Sequence, residues 1–431
     1  MKRARSVLLF AIYFGVATGL PAAIIGTNPP AMPLSAARIA ALPLEQQAVW
    51  MAYLERSTRQ LAADRAFLQA ERKKHAVKKP VIPSATLNAE GIALDKPADW
   101  YGRAGARRIA DIIASFQTPA GGWSKNLNLT RSARVPGESF ALEDSPRQPG
   151  GPDYDLSRIT DWNYVGTFDN DATTTQLRFL AKVIAATGTN NASYRAAFQR
   201  GLDYIFAAQY PNGGWPQVWP LQGGYHDSIT FNDDAMLHVL EFLRDVAGGQ
   251  NAFAFVPAGA RAQAAASLKR GIDCVLATQI VVSGHRTVWC QQHDPLTLQP
   301  ASARSYEMPA QASSESAAIL LFLMQLPALD SNVVAAVNAA AAWFKQTQIQ
   351  NMAFREVRGR GRLLVSAPGN GPLWARYYEI GTDRPIFGDR DRSIHDDVNE
   401  ISLERRNGYS WYRDSPKRAL ERYAQWSWEH P

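Results

Sequence analysis

The stretch RGLDYIFAAQYPNGGW, residues 200–215, carries a pattern that recurs on both sides of it. Residues 108–123, RIADIIASFQTPAGGW, repeat it upstream, and a third copy begins RGID at residue 270 and reaches Gln279 and Trp289. In each copy an aspartate precedes the glutamine by six residues. Apolar residues recur at helical spacing before each glutamine, and a second apolar segment follows each tryptophan. The repeated unit is therefore a helical hairpin.

Stacking of these hairpins decides the expected fold. A hairpin cannot bury its own apolar face, so neighbouring units must pack together. The pattern predicts an all-α dominated protein, an α/α toroid of about three repeated helical hairpins, with long loops and short strands at one rim. A fourth helix over 334–345 is expected to close the ring, and the aromatic segment 373–380 is expected to form one strand across it. Long loops are where we expect the site.

The composition of the 431-residue chain is that of an ordinary globular protein. Hydrophobic residues make up 46% and charged residues 20%, which excludes a largely disordered chain. Two cysteines exclude a disulfide scaffold or a four-thiolate zinc site. The formal charge of +7 is a mild basic excess that fits an anionic partner. We expect no nucleic-acid partner and a monomer.

The first 23 residues have the three-part layout of a secretory signal. Basic residues at positions 2, 3 and 5 precede an apolar stretch over 7–16, and small residues follow through Ala23. The stretch is short for a transmembrane helix, although an uncleaved anchor is an alternative. We therefore expect a secreted or periplasmic protein with no stable membrane span after signal removal. In such a compartment Cys274 and Cys290 could form a disulfide, although their spacing alone does not show that the sulfur atoms meet.

The segment that follows lacks the repeat. Residues 24–90 are expected to form a linker and an amphipathic helix over 44–74, and residues 91–431 the toroid catalytic domain. Within that helix Trp50, Leu54, Leu61 and Leu68 lie on one stripe.

Carboxylates and amides are concentrated in two loops that hold equivalent places in the first two units. These are TFDNDAT, residues 167–173, and ITFNDDAM, residues 229–236. Helix capping explains one such residue in each loop. It does not explain three consecutive acidic or amide groups in both. Oxygen ligands converging from two loops suit Ca²⁺, so the sequence predicts a cation site.

Arginine supplies the opposite charge. Arg304 precedes the third inner helix, at the place where we expect the acidic clusters of the other units. Acidic and basic loops at one rim would hold a cation and an anion together. Lys125, Arg384 and Arg390 would add fixed positive charge, although a solvated surface charge is the alternative for any single arginine. The histidines, His226 included, show no paired spacing and suggest no metal site.

These motifs resemble the pectate lyases of polysaccharide lyase family 10. The resemblance runs in order from about residue 100 to residue 412 and is absent from residues 24–90. It rests on QYPNGGWPQ (209–217), TFDNDATTTQLRFL (167–180), ITFNDDAM (229–236), TVWCQQHDP (287–295), ARSYE (303–307) and RPIF (384–387). Asp171 resembles a position where the family also accepts glycine, which argues against an essential ligand there.

The resemblance implies a pectate lyase that performs calcium-dependent endo-cleavage of polygalacturonate by β-elimination, giving 4,5-unsaturated oligogalacturonides. It further implies the following roles: Asp169, Asn170 and Asp233 as calcium-associated groups, Arg304 as catalytic base, and Lys125, Arg384 and Arg390 as binders of substrate carboxylates. The chemistry is consistent, because Ca²⁺ on the uronate carboxylate would stabilise the charge that develops when the C5 proton leaves. Arginine is an unusual base, and nearby cations are expected to lower the pKa of Arg304.

Three other functions fit parts of the pattern. A terpene-cyclase-like α/α toroid shares the Q-x-x-x-G-x-W repeat, but its acidic motif should lie in an aromatic pocket. A non-catalytic pectin-binding toroid protein would need the cation loops and not Arg304. A glycoside hydrolase would need a carboxylic acid and base pair. Release of an unsaturated uronide separates the lyase from all three.

Overall fold

The structure is a computed structural model that describes residues 24–79, 81–83, 92–141, 165–188, 191–327 and 330–429. The proposed signal at residues 1–23 lies outside the described residues. The α-helices are α1 (Ala36–Ile39), α2 (Leu44–Lys74), α3 (Ala104–Ser115), α4 (Thr174–Thr187), α5 (Ala192–Ala208), α6 (Ala235–Gly248), α7 (Ala258–Thr278), α8 (Ser313–Leu323), α9 (Ser331–Gln346), α10 (Leu403–Gly408) and α11 (Ser415–Glu429).

The strands are short and lie mostly in the loops between these helices. They are β1 (Ile24–Thr27), β2 (Gly166–Thr167), β3 (Val218–Trp219), β4 (Ile229–Thr230), β5 (Val281–Val282), β6 (His285–Arg286), β7 (Gln292–His293), β8 (Gln311–Ala312), β9 (Met352–Val357), β10 (Gly361–Ser366), β11 (Trp374–Ala375), β12 (Tyr377–Tyr378), β13 (Phe387–Gly388), β14 (Ser393–His395) and β15 (Tyr412–Arg413).

The helices pair as hairpins in chain order and form the α/α toroid that the repeat predicts. Helices α3, α5 and α7 carry the repeated motif, α9 holds the equivalent place in a fourth unit, and the more deeply buried α4, α6 and α8 follow the first three of these helices. A fourth pair exists, because α11 packs on both α8 and α9. The sequence did not reveal this partner, since β-rich chain separates it from α9 and breaks the period of the repeat.

Hydrogen bonds explain why each unit keeps its glutamine and tryptophan. The glutamine Nε2 donates to a main-chain carbonyl in the first helix of the next unit, at 2.8 Å for Gln117 to Ala197, 2.9 Å for Gln209 to Ser267 and 3.0 Å for Gln279 to Ala336. The tryptophan indole N–H donates back to the motif-bearing helix of its own unit, as Trp215 does to Ile205 at 2.9 Å. The motif is therefore the joint between stacked hairpins.

The segment 373–380 departs from the prediction of one strand. It forms two two-residue strands, β11 paired with β15 and β12 paired with β8. The change of partner occurs at Arg376, whose guanidinium is buried against Glu315 at 2.6 Å. A buried ion pair turns the chain at this point, and periodicity alone does not reveal it.

The N-terminal part packs on the toroid. Helix α2 begins and ends where the sequence predicts, and Trp50 and Tyr53 contact the ring of Tyr210. The expected linker before it contains β1, which pairs with β14, and the short helix α1. The domain boundary at residue 90 stays a prediction. No helix within the described ranges is both long enough and apolar enough to span a bilayer.

The two cysteines do not form the disulfide considered from the sequence. Both are buried free thiols. The Cys290 sulfur contacts the carbonyl of Ala301 and the amide of Ala310, whereas Cys274 lies in α7 beneath Gly214. Burial raises the pKa of both thiols, to about 12 for Cys274.

Candidate active site

The two acidic loops share one unusual backbone. Each has a phenylalanine followed by a short 3₁₀ turn, at residues 169–171 and 232–234, and the two turns contact each other. Asn170 and Asp233 hold equivalent positions, and both have φ of 49°. Left-handed conformations are costly for residues other than glycine and concentrate at functional sites. In the repeat, Asn170 is therefore equivalent to Asp233, and Asp169 is equivalent to Asn232.

Asp169 is nearly enclosed and only half satisfied. Its Oδ2 accepts a hydrogen bond from Lys125 Nζ at 2.7 Å, and its Oδ1 is buried without a partner. A buried carboxylate oxygen without a donor is unfavourable unless a cation completes it. Asn170 lies at the surface of the same turn and donates to Asn126 at 3.4 Å. Lys125 therefore lies against a predicted calcium-associated carboxylate.

Asp233 is the second carboxylate of the pair. Burial raises its pKa, and the negative charge of Asp169 raises it further. Its Oδ2 accepts from Asn232 Nδ2 at 3.0 Å. Two repelling carboxylates, one with an unpartnered oxygen, fit a hard cation. The described part of the chain holds no group of three or more His, Cys, Asp or Glu side chains suited to a metal, so amide, water or substrate oxygens would complete the shell.

Arg304 makes its closest contacts with Glu307. Arg304 Nε donates to Glu307 Oε2 and Nη2 to Oε1, both at 2.8 Å. Burial by itself would raise the pKa of Glu307, but Arg304 outweighs it and the pKa falls to about 2. Burial likewise opposes the charge on Arg304, yet Glu307 holds the pKa of Arg304 well above its ordinary value. This shift is opposite to the direction expected from nearby cations.

Buried side chains connect Arg304 to the acidic loops. Tyr409 donates to Glu307 at 2.7 Å and Tyr377 donates to Gln291, while Gln291 Nε2 itself donates to Glu307 Oε1 at 3.4 Å. Gln291 in turn donates to Asn232 at 2.5 Å, beside Asp233. The guanidinium of Arg376 also donates to Asn232, at 3.1 Å. The basic and acidic parts of the rim are therefore one hydrogen-bonded unit.

Sequence reasoning missed the members of this network. Gln291 and Glu307 lie inside the quoted motifs TVWCQQHDP and ARSYE, where they were available as a signal. Arg376 lay in a segment interpreted only as a strand.

His226 was set aside as a lone histidine, but it is buried and stacks on Tyr225 with ring centroids 3.9 Å apart. Burial lowers its pKa, and the charges of Lys125 and Arg304 lower it further.

The repeat does not put Arg304 where the sequence suggested. The Trp123 amide donates to Thr173 Oγ1 at 3.0 Å, and the Trp289 amide donates to Ser316 Oγ at 2.9 Å, so these positions are equivalent. The amides of Thr167 and Ala312 likewise donate to the carbonyls of Trp123 and Trp289, so Ser313 lies at the position of the acidic cluster. Arg304 lies nine residues earlier, in a longer loop, so its assignment to the acidic-cluster position is wrong. It reaches the same rim through Glu307 instead.

The two tail arginines lie in different surroundings. The Arg390 guanidinium lies over the Tyr306 ring, 5.1 Å from its centroid, and Arg304 lies 5.3 Å from the same ring. Arg390 also pairs with Glu404 at 3.2 Å, and Arg384 pairs with Glu379 and Asp396, each at 3.1 Å. The structure thus brings Arg390, together with Arg304, to Tyr306. Arg384 is held by acidic residues of the tail.

Comparisons with known proteins identify the family of the chain. A family model described as pectic acid lyase matches residues 117–420. The chain belongs to the pectic acid lyase family. Two solved structures from Cellvibrio cellulosa are similar at 33% identity. A family 10 polysaccharide lyase gives a TM-score of 0.62 and covers 76% of this chain and 95% of its own. An aspartate-to-alanine mutant of a family 10 polysaccharide lyase, in complex with trigalacturonic acid, gives a TM-score of 0.63 and covers 77% of this chain and 98% of its own.

Membership of the pectic acid lyase family makes the protein a polysaccharide lyase. The terpene-cyclase-like, glycoside hydrolase and non-catalytic alternatives are therefore set aside. The family match includes every predicted site residue from Lys125 to Arg390 and begins after the N-terminal segment and α2. Comparison with curated proteins gave no significant match.

Proposed function

We propose that this polysaccharide lyase is a calcium-dependent pectate lyase that cleaves polygalacturonate internally by β-elimination and releases 4,5-unsaturated oligogalacturonides. The observation that carries the proposal is the connection of the Asp169–Asp233 pair to Arg304 through one buried network. One end suits a cation and the other an anion, which is what an acidic polysaccharide with bridging calcium requires. The mild positive charge of the chain supports an anionic substrate.

Asp169 and Asp233 would hold the calcium ion, with Asn170 at the edge of the same shell. When bound, Ca²⁺ would supply electrostatic stabilisation of the charge that develops beside the uronate carboxylate. The unpartnered Oδ1 of Asp169 is the ligand atom that the structure makes available. Lys125, already 2.7 Å from the other oxygen, would fix the orientation of that carboxylate.

Arg304 would act at C5 of the uronate, as the base or as a fixed positive charge. Glu307 holds the guanidinium in a bidentate contact, so its orientation is defined before substrate binds. The same contact raises the pKa of Arg304, so proton removal by arginine would be favoured only at alkaline pH. Arg390 beside Tyr306 would neutralise a neighbouring uronate, and Arg384 would do so farther along the tail. We propose that the protein is exported, on the basis of residues 1–23, and that it acts as a monomer.

The decisive assay measures absorbance of the unsaturated product in the ultraviolet. Purified protein with polygalacturonate should give a rising signal, and excess chelator should abolish it until calcium is restored. Highly methyl-esterified pectin should react more slowly, because esterification removes the carboxylate that the cation and the arginines need. Reducing ends without ultraviolet absorbance would indicate hydrolysis, and full activity in chelator would contradict the calcium requirement.

Asp233→Asn tests the cation site. The change keeps the shape of the side chain and removes its charge, so the calcium concentration for half-maximal activity should rise by about tenfold or more. Thermal stability should not fall, because burial and Asp169 raise the pKa of Asp233, so the charge that the variant removes is unfavourable to folding. Asp171→Asn is the matched control, because this acidic residue of the other loop is exposed and bonded to His238. Equal calcium dependence of both variants and the wild type would remove Asp233 from the site.

A further inference from the structure

A short N-terminal segment lies against the loop that carries Arg304. We call residues 24–34 the strap. Asn28 in the strap is 1% exposed, and its Nδ2 donates to the carbonyls of Arg304, Ser305 and Glu307 at 3.0, 2.9 and 3.2 Å. Three carbonyls of one tight loop converging on a single amide group is a specific arrangement. No other residue type of this size offers two N–H groups at that point.

The main chain of the strap is attached on both sides of Asn28. The main-chain N–H of Asn28 donates to the carbonyl of Arg392 at 2.8 Å, and β1 pairs with β14 of the tail. Farther along, the amide of Leu34 donates to Asp227 Oδ2 at 3.2 Å, in the turn that carries His226. The strap thus joins the tail, the Arg304 loop and the His226 turn. These main-chain contacts hold the strap in place without the side chain of Asn28. The Asn28 side chain therefore serves the Arg304 loop.

Strand β13 also packs closely against the loop. A Cβ on Gly388 would lie 2.3 Å from the Tyr306 carbonyl oxygen and 2.7 Å from its carbonyl carbon. The loop 304–307 is therefore contacted both by Asn28 and by a glycine backbone that leaves no room for a side chain. Within the loop the Glu307 amide donates to the Arg304 carbonyl at 2.8 Å. The loop has little freedom while both neighbours are in place.

We propose that Asn28 is a positioning residue for Arg304, and that the strap, which precedes the family match, fixes the reactive loop of this lyase. The inference rests on the proposed role of Arg304. Asn28 acts only through the loop main chain and touches no substrate. Its Oδ1 is buried without a partner, an unfavourable feature that the three contacts of Nδ2 must offset. The Asn28 side chain therefore contributes through the N–H groups of Nδ2 and not through its oxygen.

The test compares variants of the full chain that keep or remove those donors. Asn28→Asp keeps the shape but presents oxygens to three carbonyls, and Asn28→Ala removes the group. Both should lower kcat on polygalacturonate by about tenfold or more with KM changed by less than about twofold, because loss of orientation affects the chemical step. Hydrogen exchange at the amides of Ala303 and Glu307 should become faster. The exchange measurement does not depend on activity.

Two controls separate positioning from loss of stability. Thr27→Ala alters an exposed strap residue beside Asn28 and should keep wild-type kcat and exchange. Val337→Ala creates a cavity in the buried face of α9 and should lower the melting temperature with kcat unchanged. Wild-type kcat or unchanged loop exchange in Asn28→Asp would overturn the proposal. A wild-type protein that releases no unsaturated product would refute the proposed function, while the exchange result would still decide whether the strap orders the loop.

Discussion

At the residue scale the contact between Arg304 and Glu307 determines what the arginine does. Glu307 is fully enclosed and is ionised at any pH at which the enzyme would work, since its pKa is lowered to about 2. Its charge keeps Arg304 protonated in the free protein. A base that begins protonated must lose its proton before the reaction. Arg304 can therefore act as a base only if a bound cation offsets the negative charge of Glu307.

Arg304→Lys distinguishes a base from a binder of carboxylate. A lysine ammonium keeps the charge but does not reproduce the planar two-point contact with Glu307. If Arg304 is the base, kcat should fall by about a hundredfold or more with little change in KM, and the alkaline limb of the pH–rate profile should change. If it binds carboxylate, KM should rise instead. The control is Arg59→Lys, at an exposed surface pair. Wild-type kcat in Arg304→Lys would exclude Arg304 from the chemistry.

At the scale of elements the sequence predicts the hairpins well and the rim poorly. The Gln and Trp positions recur because each makes the same main-chain contacts in every unit, so a local pattern reports the joint. The turn at Arg376, the partner of β1 and the position of α11 depend on contacts between residues far apart in the chain. The acidic loops were found because they repeat. Glu307 and Gln291 occur once, so no repetition marked them.

Gly271 in α7 shows how closely neighbouring units pack. A Cβ there would lie 2.4 Å from Leu240 Cδ2 and 2.8 Å from Trp215 Cζ3. Gly271→Ala should therefore lower the free energy of unfolding by about 1–2 kcal/mol, because overpacking outweighs the better helix propensity of alanine. Gly259→Ala in the same helix is the matched control. No atom lies within 4 Å of the added methyl group, so this variant should be neutral or slightly stabilised.

Urea unfolding of the two glycine variants measures the difference directly. Equal midpoints for Gly271→Ala and Gly259→Ala would show that the joint accommodates a methyl group. In that case the glycine of the RGxD motif would have no packing role. A lower midpoint only for Gly271→Ala would tie the motif to the stacking of units.

At the scale of the whole molecule, helix α2 carries a buried carboxylate, Asp64, on the side that packs on the toroid near Tyr204. Asp64 is fully enclosed, and Gln60 Nε2 donates to its Oδ1 at 2.6 Å while Oδ2 has no partner. Burial raises the pKa of Asp64 to about 7. In the unfolded chain the same group has a pKa of about 3.9. Folding therefore favours the protonated form.

The pH dependence of stability follows from that difference. Between about pH 4 and pH 7 the folded protein holds a proton on Asp64 that the unfolded chain has lost, so the free energy of unfolding falls as pH rises. Above about pH 7 the carboxylate is charged and buried, and the full cost, at most about 4 kcal/mol, is present.

Asp64→Asn removes the titration and keeps the contact with Gln60. This variant should be more stable than wild type at pH 8 and about equal to it at pH 4. Urea unfolding at both pH values, with the exposed Asp203→Asn as control, measures the effect. A stability difference that is the same at pH 4 and pH 8 would show that Asp64 does not titrate with folding and that α2 is docked by its apolar contacts alone.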